Sequence, residues 1–360
     1  MFDSLRVQSP HLASMRDAID AVLASGRLVL GPAVADFEQA FADYIGVNHC
    51  IGVANGSDAL ELALRALEIG PGSTVLTVAN AGGYASTAIR ACGAQARYVE
   101  IDDQTLLIDG EALELALAER PRALVLTHLY GQMADAELIS ALCRQHGVAL
   151  IEDCAQAHGA ERNGRRAGSY GALSCFSFYP TKNLGAVGDG GAVLTADVQL
   201  AHRVRQLRQY GWSDKYRVDL AGGRNSRLDE LQAAVLGVKL LHLEAENERR
   251  RAVARRYQAQ VRNPLIRLPA RAAGPEDVVH LAVLRCSRRD ALRAHLAEYG
   301  IDSDVHYPIP DHWQPAWRDA SPPSLPVTEA AAAEVLSLPC HPALDEEEIE
   351  RVIEAVNAFR

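Results

Sequence analysis

Lysine is nearly missing from this chain: of 36 basic residues, only Lys182, Lys215 and Lys239 are lysines and the rest are arginines. Chemistry that needs a primary amine therefore has three addresses, because a guanidinium stays protonated at any working pH. Other absences narrow the field. No uncharged run reaches membrane-spanning length, and Met1-Phe2-Asp3-Ser4-Leu5 lacks the charged and apolar regions of a signal peptide, so neither a membrane partner nor secretion is expected. The seven cysteines form no CxxC pair and no His/Cys spacing suited to zinc or iron–sulfur, so no metal is expected. Cys92, Cys143, Cys154 and Cys286 sit in apolar stretches as small buried hydrophobes, and an odd set of free thiols fits a reducing cytoplasm. A net charge of −10 leaves no basic stripe for nucleic acid. The one basic cluster, Arg249-Arg250-Arg251 with Arg255-Arg256, reads as a solvated face of a polar helix or a subunit contact.

The 360 residues exceed one small core and suggest a large domain with a smaller one attached. Residues 11–25 and 33–44 have helical periodicity. Short apolar runs follow at Thr74–Ala79, Ala96–Glu100, Ala123–Leu129, Val148–Asp153, Leu173–Phe178 and Gly191–Thr195, with helical segments at 85–91, 111–119 and 136–146 between the first four. Short, doubly buried strands alternating with helices predict an α/β fold: three layers, a mostly parallel sheet with helices on both faces. A long helix is expected over 226–260. Beyond it come a strand at Val278–Cys286, helices at 288–299 and 345–358, and a proline-rich loop from His306 to Pro326. The boundaries are 1–245 for the large domain and 246–360 for a smaller α+β domain.

Ligands of such sheets bind at the carboxyl ends of the strands. Asp153 closes one apolar run, in Ile151-Glu152-Asp153-Cys154-Ala155-Gln156. Lys182 follows the next, in Ser177-Phe178-Tyr179-Pro180-Thr181-Lys182-Asn183-Leu184-Gly185. Lys239 lies in an apolar helical run and Lys215 in a polar loop, so Lys182 is the amine placed for chemistry. A lysine that forms a Schiff base, with an aspartate that keeps a pyridine nitrogen protonated, is what pyridoxal phosphate requires. Upstream, Asn55-Gly56-Ser57-Asp58 opens a helix with a glycine turn, where backbone N–H groups and the Ser57 hydroxyl suit a phosphate; taken alone, Ser57 or Asp58 reads more simply as an N-cap. Tyr84 follows Gly82 and Gly83, which would admit a flat ligand, although core packing also explains an aromatic there. Asp153 alone could be a cap or half of an ion pair. His128 and His158 read as satisfied core histidines.

Taken in order, these pieces resemble the DegT/StrS-type nucleotide-sugar aminotransferases, pyridoxal phosphate enzymes of the aspartate aminotransferase fold (fold type I). The resemblance runs from Gly26–Pro32 through Asn55–Leu60, Glu152–Ala160, Ser177–Asn183 and Asn225–Ala234 to His306-Tyr307-Pro308. It implies that Lys182 forms the Schiff base and shuttles the proton, that Asp153 pairs with the pyridinium nitrogen, and that Gln156 sits near the phenolic oxygen. Tyr84 would stack on the ring, and Gly56, Ser57 and Ser177 would bind phosphate. Asn225 would complete the neighbouring subunit's phosphate site, making a homodimer with shared active sites. Glutamate would be the donor and a nucleotide-linked keto-6-deoxyhexose the acceptor. His306–Pro315 resembles the segment of enzymes that aminate thymidine-diphosphate ketosugars at C-3, which favours C-3 over C-4. Tyr179, Tyr216, His306 and Tyr307 are the substrate-contact candidates, with loop ordering the alternative for His306 and Tyr307. Lys182 argues against the deoxygenating branch, which carries histidine there.

Rival readings divide cleanly. Another fold type I pyridoxal phosphate reaction would use the same cofactor residues. A noncatalytic regulator would want a basic helix-turn-helix, which residues 1–50 lack. A Rossmann oxidoreductase would want G-x-G-x-x-G after the first strand, and the only such glycine run follows the lysine loop instead.

Overall fold

The computed structural model describes residues 4–272, 274–317 and 323–360. The six expected apolar runs all form strands of one sheet: β2 (Thr74–Val78), β3 (Gln95–Val99), β4 (Ala123–Thr127), β5 (Ala149–Asp153), β6 (Leu173–Ser177) and β7 (Gly191–Thr195). A seventh, β1 (His49–Val53), was not expected, because its His-Cys-Ile-Gly-Val run is short and interrupted by glycine. The order is β1-β7-β6-β5-β4-β2-β3. Strands β2 to β6 pair in parallel, and β7 runs antiparallel to both its neighbours.

Strand alternation builds the three layers. On β4, Leu124 and Leu126 join one core while Ala123 and Val125 join another on the opposite face. The first core is filled by Phe37 and Phe41 of α2 (Pro32–Ile45) and by Leu236. The second is filled by Ala59–Leu64 of α3 (Gly56–Ala66), by Ala85 and Ile89 of α4 (Tyr84–Ala91), and by Val204.

The helix expected over 226–260 is two: α5 (Glu230–Leu240) and α6 (Leu243–Gln260). The break serves two cores. Ala233, Leu236 and Leu243 pack into the sheet's first core, whereas Val253, Ala254 and Tyr257 belong to a third. That third core also contains β8 (Ala282–Arg285), paired antiparallel with β9 (Val335–Leu338), and the helix Glu346–Ala358. Strand β9 was not expected; four residues behind an alanine-rich helix leave little periodicity to read. The expected strand at Val278–Cys286 contracts to β8. In the proline-rich segment, residues 318–322 lie outside the described residues. Among the described residues no helix is long and apolar enough to cross a membrane.

Glu230 ties this frame together. Its buried carboxylate accepts N–H bonds from Gly31 at 2.6 Å, Ala33 at 2.9 Å and Val34 at 3.0 Å, at the start of α2. A carboxylate facing several helix-end amides is a charge-assisted cap. Glu230→Ala would leave those amides unpaired in the interior. A loss of about 2–4 kcal/mol is expected from denaturant melts; an unchanged midpoint would mean that water reaches the amides.

Candidate functional site

At the carboxyl ends of the parallel strands lies a cavity of about 860 Å³, large enough for a cofactor and a substrate together. Each wall follows from local structure. The end of β5 presents Asp153. The loop after β6 folds back on itself through Lys182 N–H to Tyr179 O and Ala186 N–H to Phe178 O, both 2.8 Å, and turns Lys182 inward. Gly185 makes that turn possible, since a Cβ there would lie 2.5 Å from the Pro180 carbonyl.

Lys182 is half-buried, and burial draws its pKa from 10.5 to about 8, with Asp153 opposing that shift. A depressed pKa does not select it by itself. Lys239 also falls to about 8 through burial, yet its Nζ is committed to the Gly185 carbonyl and it does not line the cavity. Position, not acidity, separates the two amines. Lys215 sits in the surface turn between strands 212–214 and 217–218.

Two adjacent carboxylates behave oppositely. At Asp153 burial raises the pKa, only partly offset by the Ala155 N–H, 3.1 Å away, and by the Lys182 charge. At Glu152 burial also pushes upward, but the His128 bond and the N–H groups of Gly168 and Gly171 outweigh it, holding the group below the usual carboxylate range. His128 Nδ1 accepts from Ala134 N–H at 3.1 Å, so Nε2 carries the hydrogen and donates to Glu152 at 3.0 Å. The buried trio His128, Glu152 and Cys154 thus has its ligand atoms largely spent on internal bonds. Of this adjacent pair, Asp153 is the one that lines the cavity and has unspent capacity.

The rim opposite is the start of α3. The N-cap is Asn55, whose Oδ1 accepts from Asp58 N–H at 2.8 Å, not Ser57 or Asp58 as the sequence suggested. Ser57 is thereby left exposed on the cavity side, and Asp58 pairs with Arg224 at 2.7 Å. A Cβ on Gly56 would sit 2.6 Å from that of Ser177, so the glycine lets β6 and α3 meet at one spot. Gly56, Ser57 and Ser177 all line the cavity.

Tyr84 also lines it, half-exposed, edge-on to Tyr307 with centroids 6.1 Å apart. The glycines before Tyr84 do not wait for a flat ligand. Both have positive φ, and a Cβ on Gly82 would strike the Tyr307 ring at 2.8 Å, on Gly83 the Trp317 ring at 3.0 Å. They admit rings of the chain itself. Gln156 accepts from Tyr130 N–H at 2.6 Å and donates to the Tyr307 hydroxyl at 3.1 Å. His306 Nδ1 lies 2.9 Å from Ser337 Oγ, and its carbonyl accepts the Tyr130 hydroxyl. Tyr179, His306 and Tyr307 line the cavity. Asn225 and Tyr216 do not: both are exposed on the surface outside it. His158 is fully buried, with its pKa pulled down to about 3 by burial and the Lys182 charge, but neither ring nitrogen has a hydrogen-bond partner, so it is a neutral core histidine and not the satisfied one expected.

Among the lining residues that escaped the sequence reading are His280 and Arg250. His280 reaches Asn183 Oδ1 at 3.1 Å, and Arg250 is 2 % exposed. Arg250 corrects the expectation of a solvated or subunit-facing arginine cluster: Leu243, Asn247, Arg250, Val253 and Tyr257 form one buried stripe of α6, and only Arg250 of the triplet falls on it. That i, i+3, i+4 spacing was the available signal.

The donor set fits pyridoxal phosphate: an amine of lowered pKa, a buried carboxylate short of donors, and a helix start with hydroxyls at the opposite rim.

The sequence model of the DegT/DnrJ/EryC1/StrS aminotransferase family matches residues 12–357. A dTDP-3-amino-3,6-dideoxy-alpha-D-galactopyranose transaminase from Aneurinibacillus thermoaerophilus is 45% identical, with 99% of this chain and 98% of the relative covered. A dTDP-3-amino-3,4,6-trideoxy-alpha-D-glucose transaminase from Streptomyces venezuelae is 46% identical over 99% of this chain and 95% of the relative. The crystal structure of DesV from S. venezuelae with a ketimine intermediate superposes with a TM-score of 0.94 at 45% identity, covering 99% of this chain and 96% of the other.

Proposed function

Because this chain belongs to the DegT/DnrJ/EryC1/StrS aminotransferase family, we propose that it moves an amino group from glutamate to C-3 of a thymidine-diphosphate-linked 3-keto-6-deoxyhexose. Pyridoxal phosphate is the cofactor. The observation that carries the reading is the meeting of Lys182, Asp153 and the Gly56–Ser57–Ser177 rim in one cavity. The choice of C-3 is supported by two relatives, both 3-amino-sugar transaminases matched over almost their whole length.

When bound, pyridoxal phosphate supplies an aldehyde that captures amines and a protonated ring that absorbs the electron pair left when a C–H bond is broken. The protein supplies the rest. Lys182 would hold the cofactor through Nζ, and the same nitrogen, when free, would take up a proton and return it to a neighbouring carbon. A pKa near 8 lets that nitrogen serve in both directions at neutral pH. Asp153 keeps the ring-nitrogen proton in place, and a cationic partner offsets the desolvation that raises its own pKa. Gly56, Ser57 and Ser177 hold the phosphate. Of the other lining residues, Tyr84 and Gln156 would contact the cofactor, and Tyr179, His306 and Tyr307 would contact the sugar nucleotide.

Asn225 and Tyr216, exposed and outside their own cavity, serve a second copy in a homodimer. In mixed dimers of Lys182→Ala and Asn225→Ala chains, one of the two sites regains both residues. Random mixing of two impaired proteins should then recover about a quarter of wild-type activity; no recovery would place Asn225 within its own chain's site.

The amine sets a pH dependence. With a pKa of about 8, about a tenth of Lys182 is neutral at pH 7, against less than a thousandth of an ordinary lysine. Capture of added pyridoxal phosphate by the apo-protein should therefore accelerate as pH rises and level off above about 8, followed by stopped-flow absorbance. An inflection near 10.5 would mean a fully hydrated lysine.

The function itself is tested by the visible spectrum of the holoenzyme. Glutamate should bleach the cofactor band, and a 3-ketosugar nucleotide should restore it. Restoration only by a 4-ketosugar would move the reaction to C-4.

A further inference from the structure

Lys239 is a buried amine that the reaction does not use. It lies one turn after Val235 and Leu236 on α5, and all three are buried. Burial lowers its pKa to about 8, with the Glu246 charge opposing that shift. Glu246 is bonded to His11 at 2.8 Å, however, and no carboxylate pairs with Lys239 among the described residues. A methionine of similar length would avoid the cost of burying an ammonium. What the amine gains is the Gly185 carbonyl. Nearly every other basic residue of the chain is arginine, whose planar fork wants several acceptors; one buried carbonyl suits a compact ammonium instead.

That carbonyl belongs to the loop that carries Lys182. The peptide unit between Gly185 and Ala186 is held from both sides: its N–H donates to Phe178 O at 2.8 Å, just past β6, and its C=O accepts from Lys239. The following N–H, of Val187, donates to Gln232 Oε1 at 2.9 Å. A Cβ on Gly188 would lie 3.0 Å from Gln232 Nε2, so the chain runs closely against that side chain. Gln232 and Lys239 lie about two turns apart on one face of α5. The helix therefore grips the returning limb of the loop at two points. It is itself fixed, because Glu230 at its start caps α2.

We propose that Gln232 and Lys239 are positioning residues for the reaction, and that the two-point grip of α5 on residues 185–187 sets the reach of Lys182 into the cavity. This rests on the reading of Lys182 as the reacting amine. Neither gripping residue lines the cavity. The acidity of Lys182 answers to burial and Asp153, not to Lys239, so the grip governs where the amine stands and not how readily it loses a proton. Misplacing a reacting group by about 1 Å can cost on the order of a hundredfold in rate.

The test uses the whole chain, stripped of cofactor, and the variants Lys239→Met, Gln232→Leu and Gln232→Glu. The first two remove the polar contacts with little change of bulk, whereas glutamate keeps an acceptor for the Val187 N–H. Capture of added pyridoxal phosphate should slow by about ten- to a hundredfold in Lys239→Met and Gln232→Leu and recover in Gln232→Glu. Its pH inflection should stay near 8 in all three. Affinity for pyridoxamine phosphate, which forms no bond to Lys182, should be unchanged, whereas a merely weakened fold would lose it too. Hydrogen exchange over residues 178–187 should quicken in the same two slow variants. Wild-type capture by Lys239→Met, an inflection that moves with the rate, or joint loss of capture and pyridoxamine phosphate binding overturns the proposal. If Lys239→Met fails to fold, Gln232→Leu and its rescue by glutamate decide alone. If Lys182→Ala captures the cofactor as fast as wild type, the choice of reacting amine fails and not the grip. Hydrogen exchange then decides, and an unchanged rate over residues 178–187 refutes it.

Discussion

Lys182→Ala should lose about four orders of magnitude or more of turnover while folding normally. The variant gives up both the covalent hold on the cofactor and the proton carrier. Lys239, the other lysine with a pKa near 8, cannot substitute, since its Nζ is tied to the Gly185 carbonyl and it does not line the cavity. Nor should the fold suffer, because the loop around residue 182 is held by main-chain bonds from Lys182 to Tyr179 and from Ala186 to Phe178. The measurement is steady-state transamination alongside a thermal melt. A variant that turned over near the wild-type rate would end the lysine assignment, and one that failed to fold would show that the ammonium holds the loop.

Asp153→Asn should keep the cofactor but slow the donor half-reaction by about 10²- to 10³-fold, the usual scale for removing one preorganised electrostatic contact. Asparagine preserves shape and can still accept the Ala155 N–H, but brings no charge to keep a ring nitrogen protonated. The contrast with its neighbour sharpens the test. Glu152→Gln should instead show itself in stability, because Glu152 accepts N–H bonds from Gly168, Tyr170 and Gly171 and the His128 hydrogen, all away from the cavity. Single-turnover spectra separate the two outcomes. A fully active Asp153→Asn protein would remove the charge from the mechanism.

The parallel sheet was legible because its strands are buried on both faces and read as apolar runs; five of six expected strands differ from the observed ones by only a residue or two at an end. Strand β1 was not legible, since its partner β7 lies about 140 residues away and pairing, not composition, makes it a strand. Lys182 and Asp153 stood out through scarcity and position. Residues whose meaning depends on a distant neighbour did not: Arg250 looked like one of a surface triplet until α6 turned it inward, and Gly82 and Gly83 looked like room for a ligand until Tyr307 and Trp317 filled it. The break between α5 and α6 answers to two separate cores, which no local periodicity encodes.

On β5, consecutive residues face opposite sides, with Glu152 bracing the interior and Asp153 serving the cavity. Substitutions in this strand can therefore be graded in effect, but changes in its length cannot. Deleting a single residue ahead of Glu152 would rotate both carboxylates by half a turn, setting the ionised brace in the cavity and the unbraced acid against His128. Site and scaffold would fail together with every functional side chain still encoded. Natural variation in this segment should accordingly be confined to exchanges, with insertions and deletions collecting in the turns on either side.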